Sequence, residues 1–145
     1  MSKNMKIISW VMRFALAAGF VAMGAFPKLT GDQMAKELFE KLGAEPMGRI
    51  AVGSTEALIA ILLLAPKTTV YGGILAMGLM LGALFSHFTK LGFPMDPLPG
   101  FPSPPPLGIF AVVFLVIGAA ITFLHRGALP FGKSSGAAAS NREMT

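Results

Sequence analysis

Apolar residues fall into four long runs along the chain, Ile7 to Phe26, Arg49 to Ala65, Val70 to Thr89 and Leu107 to Leu124, separated by short polar or proline-rich segments. A helix rises about 1.5 Å per residue, so roughly 20 residues cross the ~30 Å hydrocarbon core of a bilayer. The runs therefore predict an all-α chain, a transmembrane four-helix bundle. Lys3 and Lys6 ahead of the first run, and Ala22, Gly24 and Ala25 at its end, imitate a secretory signal. A signal's apolar stretch spans only about 7–15 residues. This run is longer and holds Arg13, so it reads as a retained helix.

The connections are patterned too. From Asp32 to Leu42, Met34, Leu38 and Leu42 recur at i, i+4 and i+8 with Phe39 beside them, opened by Thr30-Gly31-Asp32 and closed by Gly43. That spacing predicts a short amphipathic helix between spans one and two, lying on the membrane surface or over the bundle mouth. Leu91 to Pro106, between spans three and four, holds seven of the chain's eleven prolines. No helix continues through such a segment. It predicts a proline-rich loop, a stiff and partly polyproline II strap whose Phe93, Met95, Leu98 and Phe101 lean on the bundle, either passively or as a lid. Residues 1–126 form one transmembrane domain in this reading, and 127–145, rich in Gly, Ser and Ala, a disordered basic tail.

Composition agrees with a membrane chain: 54% of residues are apolar and 13% charged, with a mean hydropathy of +0.68. The net charge of +5 would suit a polyanion, but the basic residues do not gather with aromatics on a hydrophilic face, which excludes nucleic acid as the expected partner. They flank the spans, where lipid headgroups meet them. With a cytoplasmic amino terminus, Lys3, Lys6, Lys67, Arg126, Lys133 and Arg142 lie inside and Lys28, Lys36, Lys41, Arg49 and Lys90 outside. The positive-inside rule then favours both termini in the cytoplasm, for a protein of the bacterial cytoplasmic (inner) membrane. There is no cysteine, so disulfides, thiol relays and cysteine-ligated metals are excluded. His87 and His125 fall at opposite ends of the spans, and no metal site is expected.

Three spans carry an ionisable residue, Arg13, Glu56 and His87. Each costs on the order of 2.5–3.5 kcal/mol at the centre of an inserted helix, which favours a partner or a cavity. At ~1.5 Å per residue, Arg13 lies roughly 9 Å and Glu56 roughly 14 Å above the inner ends of their spans. A long guanidinium bridges that offset, so Arg13 and Glu56 are the predicted buried polar pair. It either orients two helices or leaves Glu56 to carry protons or touch a ligand; in the remaining alternative Arg13 snorkels to the cytoplasmic headgroups and Glu56 stays protonated. Lys28 and His87, at the outer ends, are the candidate ligand-binding residues, suited to a quinone carbonyl or an anion, or else to headgroups and loop carbonyls. Gly78, Gly82 and Ser86 repeat small residues at every fourth position, as do Ala15 and Gly19, Ala18 and Ala22, and Gly53 and Ala57, which predicts close helix approaches.

Arg13-Phe14-Ala15-Leu16, Gly24-Ala25-Phe26-Pro27-Lys28-Leu29, Glu56 followed by Leu62-Leu63-Leu64, and Ser86-His87 together resemble the DoxX and DoxX-like membrane proteins over roughly Arg13 to Gly92. The resemblance implies a small four-span protein and a link to quinone-dependent oxidation, because the family's name comes from a subunit associated with thiosulfate:quinone oxidoreductase. The proline-rich strap departs from ordinary members. Three functions stay open: a non-catalytic subunit or accessory protein of a membrane redox system, a quinone-binding component of an oxidoreductase, or a small proton-coupled transporter. The partners implied are the lipid bilayer, a redox subunit or a second copy of the chain, and the only cofactor implied is a quinone.

Overall fold

A computed structural model describes residues 1–130, and every extended element among them is helical. Ser2 caps α1 (Lys3–Gly19), its hydroxyl accepting the Met5 N–H at 3.3 Å. The helix runs on through a π-helical stretch, Phe20–Ala25, into α2 (Phe26–Thr30). Gly31, at φ 74°, ends the rod in the left-handed region that favours glycine. The amphipathic helix forms as expected: α3 (Gln33–Leu42) is capped by the Asp32 carboxylate, which accepts the Met34 N–H at 3.1 Å, and closed by Gly43. Then come α4 (Met47–Leu64), α5 (Thr69–Ser86), which continues through a second π-helical stretch at His87–Leu91, and α6 (Leu107–His125). Four helical rods, Lys3–Thr30, Met47–Leu64, Thr69–Leu91 and Leu107–Ala128, are long and apolar enough to cross a membrane. Of the expected tail, Arg126–Ala128 is a 3-10 turn, and residues from 131 onward lie outside the described residues.

α5 packs along both α4 and α6, and α1 packs against α4 and α6. Leu16, Phe20, Ile59, Leu63, Ala76 and Ile121 fill the space between them. Lipid is as apolar as these side chains, so close packing rather than escape from water must hold such helices together. Of the expected glycines, Gly19 and Gly53 permit it, since a β-carbon on Gly19 would strike the Phe114 ring and one on Gly53 would sit 2.9 Å from Lys28 Cβ, but Gly78 and Gly82 do not. Nothing lies within 4 Å of a β-carbon built on Gly78 or Gly82, whereas one on Gly73 would strike the Thr122 hydroxyl and one on Gly72 would sit 2.9 Å from the Leu63 nitrogen. The α5 contacts use the face one helical step away from the glycine repeat.

The rods create two unlike ends. At the termini end, the starts of α1 and α5 meet the finishes of α4 and α6. At the cap end, Met34, Leu38 and Leu42 of α3 pack with Leu91, Met95, Leu98, Phe101 and Leu107. Polar ties reinforce this layer: Gly100 N–H donates to Glu37 Oε2 at 2.8 Å, and Lys90 Nζ donates to the Leu42 carbonyl at 3.2 Å. Phe93 lies against Gly108 of α6 and stacks on Phe88 with centroids 5.2 Å apart. The segment after Leu91 is thus fastened to α3.

Candidate functional site: a cavity under the cap

Glu56 sits midway along α4, only 5% exposed. Its partner is Lys28 of α2, whose Nζ donates to Oε1 at 2.8 Å and to Oε2 at 2.9 Å. Gly24 makes room for the carboxylate, since a β-carbon there would stand 2.5 Å from Glu56 Cδ. Lys28 is fixed from behind as well. Its backbone carbonyl accepts from Arg49 Nη1, and Arg49 Nε donates to both oxygens of Glu45, at 2.8 and 2.9 Å. Arg49 is itself buried. A cation bonded to one carboxylate and one carbonyl clamps the end of α2 to the first turns of α4.

The expected Arg13–Glu56 pair is therefore corrected. Arg13, only 3% exposed, reaches the end of α4 instead, its Nε donating to the Leu63 carbonyl at 2.5 Å and its Nη2 to the Leu64 carbonyl at 3.0 Å. These are carbonyls of a last helical turn, which lack intrahelical donors and carry the negative end of the helix dipole. The Trp10 ring covers the guanidinium at 4.0 Å. Beside it, Ser9 Oγ bonds His125 Nε2 at 2.7 Å, and the Thr69 hydroxyl donates to the Ala65 carbonyl at 3.0 Å. Arg13 is a cap for α4, and its level fixes how far α1 projects past that helix.

His87 begins the second π-helical stretch and is 4% exposed. Its Nδ1 lies 3.0 Å from the Gly92 carbonyl. A carbonyl only accepts, so Nδ1 carries the proton, and in the neutral ring Nε2 is left as an acceptor. Nε2 has no hydrogen-bond partner among the described residues, and no fully buried side-chain nitrogen or oxygen among them lacks one. It must touch open space.

His87 lines a cavity of about 360 Å³, at the lower end of the roughly 300–1,000 Å³ typical of small-molecule sites. Phe20, Phe39, Met80, Phe110 and Phe114 give it apolar walls, Leu38 and Leu42 of α3 roof it, and Lys28, Glu56, Ser86 and His87 supply its polar edges. Lys28 and His87, expected as ligand-binding residues, line this one cavity together with Glu56; Arg13 does not. Gly78 and Gly82 also line it, exposed and with nothing opposite them within 4 Å. The wall is lowest there. The lining stops at Gly19 and Gly78, midway along their rods. Both π-helical stretches border the cavity, one carrying Gly24 and the other His87, and such stretches are frequent at functional sites.

Sequence reading missed Arg49, taken there as a loop-side charge, and the Lys28–Glu56 pairing. The Glu45-to-Arg49 spacing of four residues was the available signal, since such residues are neighbours on a helical turn. Among the described residues no group of three His, Asp or Glu side chains is placed to hold a metal. No family model, curated protein or solved structure matches this chain.

Proposed function

We propose that the chain is a DoxX-like integral membrane protein, a four-helix bundle with both termini on the cytoplasmic side of a bacterial inner membrane, which serves as a non-catalytic component of a membrane redox system and binds the ring of a lipophilic quinone. One observation carries this reading: an apolar cavity between the long apolar helices, bordered by the largely buried Lys28–Glu56 ion pair. Desolvating two charges is costly even when they meet. A mostly apolar pocket with a few convergent polar groups is the usual form of a small-molecule site. An aromatic ring suits the Phe and Met walls, and the Lys28 ammonium is a donor for a ring oxygen. The confinement of the cavity to the cap end favours binding over passage through the membrane.

The test is extraction. Protein purified in mild detergent from quinone-containing membranes should release quinone in stoichiometric amount on solvent extraction. Gly82→Leu, which fills the cavity where no neighbour resists, should lose the quinone while keeping its helix content. Wild-type protein that releases none, or a Gly82→Leu variant that retains as much, would refute the reading.

A further inference from the structure

The polar edge of the cavity is unequal in donors and acceptors. An ammonium has three N–H donors, and Lys28 directs bonds to the two oxygens of Glu56, which leaves one N–H for a ligand. Against it stand several acceptors. With Nδ1–H committed to the Gly92 carbonyl, His87 in the neutral form of its ring offers Nε2 as an acceptor. Ser86 donates its hydroxyl proton to the Gly82 carbonyl at 3.1 Å, so toward the cavity its oxygen presents lone pairs. Each carboxylate oxygen of Glu56 accepts from Lys28 and retains a further lone-pair site.

A quinone brings acceptors only. Its oxygens can take the one Lys28 N–H, but near His87 or Ser86 they meet lone pairs, and the buried acceptors stay unpaired. A hydroquinone of the same size brings two O–H groups: one can donate to His87 Nε2 while the other oxygen accepts from Lys28. Sites built to hydrogen-bond a ligand hydroxyl discriminate strongly against the analogue without it, because the site's own polar groups are then stranded. Given that the cavity takes a lipophilic ring at all, which is the reading above, we infer that it selects the reduced, hydroxyl-bearing form, with His87 as the residue that reads the hydroxyl.

Three probes built on one ring separate the possibilities: a short-tailed benzoquinone, the corresponding hydroquinone, and that hydroquinone's dimethyl ether, which keeps the oxygens, lacks the O–H groups and adds two methyls. Binding is measured by equilibrium titration of the purified full-length protein in detergent under anaerobic conditions. The hydroquinone should bind at least about tenfold more tightly than the other two, the ratio one satisfied buried acceptor is worth. His87→Asn can keep a donor for the Gly92 carbonyl, since its amide nitrogen stands where Nδ1 does, but it has no atom in place of Nε2. It should bind all three probes alike. A wild type that binds quinone as well as hydroquinone overturns the selectivity and leaves ring binding standing. A His87→Asn variant that retains the preference overturns the assignment to His87. A wild type that binds none of the three overturns the underlying reading of the cavity.

Discussion

Arg13 and Lys28 belong to the same continuous rod, and both are largely withdrawn from solvent, yet they are held in opposite ways. Arg13 is satisfied by two backbone carbonyls and an aromatic face, and its neighbours Ser9, His125 and Thr69 are satisfied by one another or by backbone. Lys28 is satisfied by a carboxylate, with a donor to spare, at the border of a cavity. A cation on carbonyls caps a helix and ends there. A cation on a carboxylate beside open space holds two charges at the border of that space, at a desolvation cost that helix packing alone does not require.

The contrast breaks most visibly at Glu56. Glu56→Ala leaves the Lys28 ammonium without its counter-charge and should lower stability in detergent by roughly 3–5 kcal/mol, read as a large fall in the unfolding midpoint. Lys28→Met combined with Glu56→Gln should recover much of that loss, because the two effects are not additive within a pair. A double variant as unstable as the sum of its parts would show that the two do not act as partners. At the other end, Arg13→Met removes two charge-assisted bonds and should cost about 1–3 kcal/mol. Combined with Glu56→Ala it should add within roughly 0.5 kcal/mol, since the two residues share no partner. Strong coupling between them would restore the pair that the structure dissolves. The smallest effect is at Ser9: Ser9→Ala should cost about 0.6 kcal/mol, the average for a hydrogen bond between membrane helices, and a loss several times larger would mean that the Ser9–His125 bond organises the whole termini end.

Much of this layout was legible in the residue pattern. The four runs, the Asp32 and Gly43 boundaries of α3 and the non-helical character of the proline segment follow from hydropathy, capping chemistry and the missing proline N–H, all of which are local. The ion pair was not, and the reason is registry. Treating the apolar runs as flush at one face puts Arg13 beside Glu56. In the structure Arg13 stands level with Leu63 and Leu64, about 12 Å from Glu56 along α4 at 1.5 Å per residue, because α1 begins at Lys3 and projects past its neighbour. Hydropathy does not encode that offset. It is set by contacts between distant residues, such as Gly24 receiving the Glu56 carboxylate. The glycine repeat at Gly78 and Gly82 misled for a related reason: small residues at helical spacing permit close packing but equally leave room for a ligand.

The most direct test of the difference between the two ends is the quinone content of three proteins prepared from the same membranes: wild type, Gly82→Leu at the cap end and Arg13→Met at the termini end. If the cap end binds and the termini end only packs, Gly82→Leu will be folded and empty, and Arg13→Met will be less stable and filled as the wild type is. Quinone lost from Arg13→Met while it remains folded, or kept by Gly82→Leu, would contradict the division.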